Sequence, residues 1–371
     1  MYILQITPYY LPHTGGIERY VYNLSQYLIA QGHTVDVATA NVPESSGTET
    51  VEGITIYRYP HLCTLMGNPI ITNLSDLKSR LKDYDVIHIH GVYTYATLRT
   101  VLFLGKKHRQ KVFLTHHGTA SYTTLPKIYF SKIYEQVVIR FMLKRIDYVI
   151  VQAKSDKILF ANLAKKTESI SIVPNGIDTK VFTRPNDLKL TEFRNRFGLN
   201  KKIILFLSVI SERKGIFDLI HAFSKIDTDQ YMLLIAGDGP DKNKAISLTE
   251  SLGLSDNILF TGKLLFSDLL AAYSTATVYV LPSYAEGMPT TIMESLVLGC
   301  PVITTNIPSI QDNFSDVVTL VPPGNVEMLA KAIIGEGIDM PIVDRLFLQE
   351  RYNVENVFRK YNEFYKNHRG R

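Results

Sequence analysis

Tryptophan is absent from the 371 residues, and there are only two cysteines, Cys63 and Cys300. Two thiols so far apart in sequence supply no disulfide framework, so the fold must rest on a hydrophobic core. A reducing cytoplasm fits that usage. No apolar run reaches the ~18 residues of a membrane-crossing helix. The first residues, Met1-Tyr-Ile-Leu-Gln-Ile-Thr, lack the basic start and small-residue cleavage site of a secretory signal and read as a first strand. No low-complexity tract occurs. What remains is a globular balance, 46% apolar and 20% charged, in a chain long enough for two domains of about 150 residues each.

The net charge is only +5, but it is uneven. Between Val101 and Lys166, 13 Lys or Arg face Glu135, Asp147 and Asp156, a local excess of +10. The belt includes Lys106, Lys107, Arg109, Lys111, Lys132, Arg140, Lys144 and Arg145, interleaved with Phe103, Phe113, Tyr129, Phe130, Tyr134 and Phe141. Two readings stand beside each other: solvated helix faces, or a surface for anionic lipid headgroups or a lipid-linked phosphate. No nucleic-acid motif accompanies it, so nucleic acid is not an expected partner.

Short β-branched runs alternate with helical spacing almost throughout. Tyr2–Thr7, Thr34–Thr39, Ile54–Tyr59, Asp85–His90, Val112–Thr115, Tyr148–Val151 and Ile170–Val173 form one series of strands. Ile203–Val209, Met232–Ala236, Ile258–Phe260, Thr277–Leu281, Val302–Thr304 and Val317–Val321 form a second. Such alternation predicts right-handed βαβ units and an α/β class. Wholly apolar strands such as Ile203-Ile-Leu-Phe-Leu predict parallel sheets covered on both faces. The turn-rich stretch Pro174–Asp187 separates the series, giving a first domain over 1–180 and a second over 181–352. The helix 353–371, with Val357, Tyr361 and Phe364 on one side, is expected to pack back on the first. Ligands of open parallel sheets bind outside the carboxyl ends of the strands, so the residues after each strand are the ones to inspect.

After the first strand comes Gly15-Gly16-Ile17-Glu18, opening a helix. Glycines there let backbone amides approach an anion; the bland alternative is a loop that needs positive φ. The full dinucleotide fingerprint is missing, which disfavours nicotinamide or flavin. Two strands end in His88-Ile-His90 and His116-His117-Gly118. His88 and His90 share a face while His116 and His117 point oppositely, and no carboxylate or Cys completes a ligand set, so no metal site is expected. A histidine that hydrogen-bonds a sugar hydroxyl, or caps a strand end, is preferred. In the second series, Arg213-Lys214 lies at a strand–helix turn, suited to a diphosphate or merely to solvent. Gly237-Asp-Gly-Pro240 brings backbone close, and Gly262-Lys263-Leu264 offers bare backbone that could read a nucleobase edge.

The most informative stretch is Pro282-Ser-Tyr-Ala-Glu286-Gly287-Met288-Pro289-Thr290-Thr-Ile-Met-Glu294. Thr290 or Thr291 is expected to cap a helix ending at Gly299. Glu286 then lies in the loop and Glu294 inside the helix. The amides near Gly287–Thr291 suit phosphate oxygens.

Taken together, these segments resemble the retaining glycosyltransferase family 4, with the GT-B architecture of two Rossmann-like domains facing across a cleft. The resemblance covers nearly the whole chain. It rests on Gly15-Gly16-Ile17-Glu18, His117-Gly118, Pro174-Asn-Gly-Ile-Asp178, Lys214-Gly215, Gly237–Pro240, the Glu286 and Glu294 pair, and Gly299-Cys-Pro-Val-Ile. It implies that Glu286 and His117 lie by the transferred sugar and Glu294 by the ribose. It implies that Lys214 and Gly16, with Gly15 beside it, hold the diphosphate. The implied substrates are a nucleotide-sugar donor, UDP- or GDP-linked, and a glycan or lipid-linked acceptor, with no bound metal or other cofactor. The implied setting is cell-surface polysaccharide or glycolipid synthesis at the inner membrane face. Acceptor contacts are expected in Asn41–Gly53 and Tyr93–Thr97. Where the family commonly has Gly-Arg ahead of Lys-Gly, this chain has Ser208-Val209. Arg213 is then the candidate to supply the missing charge. The competing readings are another GT-B nucleotide-sugar enzyme and a non-catalytic homologue or partner subunit. If the basic belt meets membranes, the protein sediments with anionic but not neutral vesicles and is released by salt; indifference to lipid charge would remove that partner.

Overall fold

The computed structural model describes the chain apart from residues 14, 46, 66, 106–107, 119–131, 165–167, 337–340, 342–343 and 368–371. Lys106, Lys107, Tyr129, Phe130 and Lys166 of the basic belt therefore lie outside the described residues. The chain divides into two compact units, Met1–Pro174 with Glu355–Arg371, and Asn175–Val354.

The first unit is built on an eight-stranded sheet. Its strands are β1 (Tyr2–Ile6), β2 (Thr34–Ala40), β3 (Thr48–Val51), β4 (Ile54–Tyr59), β7 (Val86–His90), β8 (Lys111–Thr115), β9 (Tyr148–Val151) and β10 (Ile170–Ile172). A separate hairpin pairs β5 (His61–Leu65) with β6 (Asn68–Ile71). The sheet order is β10-β9-β8-β7-β1-β2-β4-β3, and all pairs are parallel except β3 with β4. The second unit carries a six-stranded parallel sheet: β11 (Lys202–Leu207), β12 (Tyr231–Ala236), β13 (Ile258–Gly262), β14 (Val278–Leu281), β15 (Val302–Thr305) and β16 (Thr319–Val321). Its order is β13-β12-β11-β14-β15-β16. Residues Ile203–Phe206 of β11 are fully buried, as the apolar run requires when helices cover both faces.

Each order reverses once, between β1 and β7 in the first sheet and between β11 and β14 in the second. There the connections leave towards opposite faces, so the loops after those strands part and leave a crevice at the carboxyl edge. The Gly15-Gly16 loop follows β1, and His90 ends β7. Lys214 follows β11, and Glu286 follows β14.

Three features differ from the sequence reading. The segment 175–180, assigned above to the first domain, belongs to the second unit. Ile177 bridges Asn353, its N–H donates to the Tyr352 carbonyl at 2.9 Å, and its carbonyl accepts from Val354 N–H at 3.0 Å. Strand β3 and the β5–β6 hairpin were not expected. The sequence Thr48-Glu-Thr-Val51 forms an exposed antiparallel edge and buries nothing that would mark it. Consequently the 41–53 segment, read as an acceptor loop, is partly strand.

The last helix, Val354–Asn367, completes the first unit. Phe358 meets the Tyr20 ring edge-on at 5.4 Å. Tyr361 Oη lies 3.3 Å from Thr115 Oγ1, Tyr365 Oη is 2.5 Å from His88 Nδ1, and Asn362 Oδ1 is 2.8 Å from His33 Nε2.

The turn that presents Lys214 depends on one glycine. Gly215 has φ +73°, and a Cβ on it would fall 2.0 Å from the Pro282 carbonyl oxygen. Gly16 meets no such limit: a Cβ there has nothing within 4 Å. Gly215→Ala should destabilise the second unit by about 3 kcal/mol or more. Gly16→Ala should stay within about 1 kcal/mol of wild type. Denaturant unfolding of both variants checks the contrast.

Candidate active site

In the second unit, Lys214 and Glu286 form the centre. Lys214 Nζ sits 2.6 Å from Glu286 Oε1, with the two side chains only 13% and 7% exposed. The same oxygen accepts from Ser283 Oγ at 2.6 Å. Ser309 Oγ donates to the Glu286 carbonyl at 2.7 Å, fixing the backbone of the loop as well. Burial pulls the Lys214 ammonium below the usual lysine range; Glu286 opposes that, and Arg213 adds to it. Arg213 Nη1 donates to the Ala285 carbonyl at 2.8 Å, and Tyr284 N–H donates to the Arg213 carbonyl at 2.9 Å. The 212–215 turn and the 283–286 loop are therefore laced together across the switch point.

The helix after Glu286 runs Thr290–Val297. Its cap is Pro289, in extended backbone, and not Thr290 or Thr291 as expected. No side chain caps this end, so its first amides keep their donors and the helix dipole faces outward. Thr291 serves instead as a hydrogen-bond partner of Tyr279. At the other end Gly299, at φ +82°, donates to the Leu296 carbonyl, and Cys300 N–H donates to Ser295, a Schellman close. Glu294 is 1% exposed, and Tyr273 Oη donates to its Oε2 at 3.2 Å. Met288 is held from below: Asn175 N–H meets its Sδ at 2.9 Å, and Asn175 Nδ2 its carbonyl at 3.4 Å.

Arg213, Lys214, Glu286, Gly287, Met288, Pro289, Thr290 and Glu294 thus gather at one switch point. Gly262 ends β13, the edge strand two places from β11, and Lys263 and Leu264 follow it. Gly237 N–H donates to the Gly262 carbonyl at 2.8 Å, Lys263 is exposed and Leu264 half-buried. Val209, where the family pattern carries an arginine, is 53% exposed. Ser283, Ser309, Tyr273 and Asn175 escaped the sequence reading. Asn175 and Ser283 both lay in stretches singled out there without a role being given to them, and the grip of Asn175 on Met288 spans too many residues to be seen in spacing.

In the first unit, Gly15 is the N-cap of the helix Gly16–Ala30, at φ −156°. The positive-φ alternative for this loop therefore fails at Gly15. A Cβ there would fall 2.3 Å from Glu18 Oε2, so a side chain at this position would have to displace the Glu18 carboxyl. The Glu18 carboxyl covers the helix start, 3.2 Å from His13 Nδ1, and burial raises its proton affinity. Open space remains in front of Gly16.

The histidines form a ladder. His90 Nε2 lies 2.7 Å from Gln5 Oε1, His90 Nδ1 lies 3.0 Å from His117 Nε2, and Gln152 Nε2 approaches His117 Nδ1 at 3.4 Å. An amide oxygen only accepts, so His90 carries its proton on Nε2 and leaves Nδ1 as acceptor. His117 must then carry its proton on Nε2 and present Nδ1 as an acceptor. The rings of His90 and His117 stack at 5.3 Å, and His88 lies 4.1 Å from His90. His116 points to the opposite face, against the Phe160 ring at 4.9 Å. Among the described residues no three His, Cys, Asp or Glu side chains gather as a metal-ligand group.

In the belt, Arg109, Lys132 and Lys144 are exposed. Arg140 Nε donates to the Leu163 carbonyl at 3.2 Å, and Arg145 lies 3.8 Å from the Phe141 ring centroid. Part of the belt is thus structural. No helix among the described residues is long and apolar enough to cross a membrane.

Comparison with known proteins decides the family. The description "Glycosyltransferase Family 4" matches residues 14–181, and "Glycosyl transferases group 1" matches 189–335. The chain belongs to glycosyltransferase family 4. This transferase is 26% identical over 374 aligned residues to the alpha-monoglucosyldiacylglycerol synthase of Streptococcus pneumoniae, covering 97% of the chain and 84% of that protein. It is 24% identical to the N-acetyl-alpha-D-glucosaminyl L-malate synthase of Bacillus anthracis, covering 81% and 78%. Its fold matches Anabaena HepE in complex with UDP and glucose at a TM-score of 0.79 with 17% identity, covering 99% and 100%. The GT-B class read from the sequence stands.

The ladder makes the transferase acid-sensitive. Burial lowers all four histidines, His116 to about 4 and His117 to about 3, with His88 and His90 well below the usual value. Between about pH 6.5 and those values the unfolded chain binds more protons than the folded one. Stability is therefore full above pH 6.5 and lost as pH falls, by about 1.4 kcal/mol per pH unit for each histidine. Denaturant midpoints from pH 7.5 to 5 should show this loss. His116→Phe, which removes one titrating ring, should make it shallower.

Proposed function

We propose that the chain is a retaining, metal-independent hexosyltransferase that moves a sugar from a UDP- or GDP-linked donor to a lipid-linked or glycan acceptor. The observation that carries this reading is the buried Lys214–Glu286 contact beside an uncapped helix start. It pairs a cation for a diphosphate with a carboxylate for what the diphosphate carries. Lys214, Arg213 and the backbone N–H groups of Gly287, Met288 and Thr290 receive the diphosphate, doing the work of charge neutralisation for which no metal is invoked. Glu294 takes the ribose diol. Backbone at Gly262–Leu264 reads the base from the sheet edge, two strand spacings or ~10 Å from β11. In the first unit, Gly15 and Gly16 approach the diphosphate, and His117 takes a sugar hydroxyl at Nδ1 in exchange for its long 3.4 Å contact with Gln152 Nε2.

In the reaction, the bond between the anomeric carbon and the diphosphate oxygen breaks, and its electron pair leaves with the diphosphate. The acceptor oxygen bonds the same face of the sugar. Its proton passes to the departing phosphate oxygen, so configuration is kept. The lipid or glycan acceptor is supported by the names of the relatives, which include diacylglycerol and phosphatidylinositol glycosylation. The UDP-linked donor is supported by the bound ligands of the HepE structures. The setting we propose is the cytoplasmic face of a membrane, with the 101–166 belt against anionic lipid.

Thermal-shift titration with UDP-, GDP- and ADP-sugars tests the donor site. A donor at ~100 times its dissociation constant should add about 2.7 kcal/mol. Glu294→Ala should abolish that shift. Lys214→Met should cut turnover by roughly 10²–10³, and the anomer formed, read by NMR, should match that of the donor. Donor binding without turnover would favour the non-catalytic homologue, with uncharged Val209 as the reason.

A further inference from the structure

The histidine ladder has a glutamine at each end. Gln5 closes the inner end beyond His90, and both are fully buried. Gln152, also buried, stands at the outer end, and His117 beside it is half-buried. A primary amide has an acceptor on one arm and donors on the other. Turning both amides over would therefore reverse every hydrogen bond in the row. His117 would then carry its hydrogen on Nδ1 and could not accept a hydroxyl there. The contact between His90 and His117 permits either sense, so the choice has to be made at an end.

The two ends are unequal. His90 Nε2 donates to Gln5 Oε1 at 2.7 Å, while Gln152 Nε2 approaches His117 Nδ1 only at 3.4 Å. The first is a full-strength bond and the second is at the limit of one. Gln5 governs the row, and Gln152 follows it.

Gln5 in turn has a neighbour that distinguishes its two arms. Its Nε2 is buried without closing a hydrogen bond. Burial keeps the Tyr365 phenol protonated, and Gln5 works against that burial, as an N–H beside the phenol oxygen does and an amide oxygen would not. Tyr365 Oη lies 2.5 Å from His88 Nδ1, and desolvation keeps His88 neutral. The phenol hydrogen therefore goes to His88, and what Tyr365 shows Gln5 is a lone pair. Turned over, Gln5 would set its own oxygen against that oxygen with no hydrogen between them, a buried arrangement that costs free energy. His88 is held for this task by its other nitrogen, 2.7 Å from Thr115 Oγ1.

We propose that Gln5, oriented by Tyr365 of the last helix, is a positioning residue of the donor site. It fixes the His117 hydrogen on Nε2 and so keeps Nδ1 an acceptor for a sugar hydroxyl. Gln5 and Tyr365 are both too deeply buried to touch the donor; Gln5 acts through His90, and Tyr365 through Gln5. The sugar contact rests on the transferase reading above, whereas control of the hydrogen does not.

Nitrogen NMR of the full chain with isotope-labelled histidines reads which ring nitrogen carries the hydrogen, and His117→Gln identifies the His117 signals. In the wild type His117 should be the Nε2–H form. Gln5→Met, which keeps the length and removes both polar arms, should turn it into a mixture with the Nδ1–H form. Tyr365→Phe, which removes one oxygen, should do the same to a smaller extent, and either variant serves if the other does not fold. Gln152→Met, at the weak end, should leave the His117 hydrogen where it is, which a merely structural loss of packing around the ladder would not predict. The donor dissociation constant should rise about two- to tenfold in Gln5→Met, as the accepting form becomes a fraction of the population. A wild type already in the Nδ1–H form, or a His117 signal unchanged in the folded Gln5 and Tyr365 variants, overturns the proposal. A changed His117 signal with unchanged donor affinity upholds control by Gln5 and removes His117 from the donor site.

Discussion

A half-hidden lysine against a carboxylate sets the terms for the second unit. A desolvated ammonium without a partner would lose its proton or turn outward. Glu286 Oε1 at 2.6 Å keeps Lys214 charged and in place, and the surrounding contacts serve that geometry. Gly215 lets the turn reach Pro282, Arg213 pins Ala285, Ser283 and Ser309 fix Glu286, and Asn175 seats Met288. Under the proposed reaction the pair is also a latch. An arriving diphosphate competes for the Lys214 charge, and the Glu286 oxygen is released as the sugar arrives beside it. The carboxylate is thus masked until there is something for it to act on.

The first unit solves a different problem with neutral groups. Three imidazoles in one neighbourhood, those of His88, His90 and His117, cannot all carry charge, and desolvation keeps them neutral. Neutrality alone leaves each ring two tautomers. Gln5 removes that freedom at one end, because its oxygen dictates the His90 proton and hence the His117 proton. The structural role of Gln5 is therefore felt at His117, two hydrogen bonds away.

The fold was legible because its strands are buried on both faces and read as unbroken apolar runs. Every strand expected from such a run is present within two residues at either end. Strand β3 and the hairpin were not legible, since Thr48-Glu-Thr-Val51 and His61–Leu65 are exposed and their pairing leaves no apolar rhythm. Lys214, Glu286 and Glu294 were found because they follow strands in recognisable turns. Tyr273, Gln152 and Gln5 were not, because each reaches the site through a long-range contact that no local pattern encodes; Ser283, three residues from Glu286, is a local contact whose role its residue type did not announce. The capping of the 290–297 helix misled for a physical reason. Thr290 and Thr291 are good caps by type, but Pro289 already fixes the entry backbone and Thr291 is spent on Tyr279.

The return of the last helix has a consequence for how the polypeptide is made. Phe358, Tyr361 and Tyr365 fill space beside Tyr20, Thr115 and His88, so the earliest strands await a piece of their own interior that is synthesised last. At roughly 5–20 residues per second, the whole second unit emerges first, over tens of seconds. During that interval Tyr20 and His88 lack their aromatic cover on the ribosome. The docking of the 354–367 helix is therefore the step that closes the interior of the first unit around Tyr20 and His88.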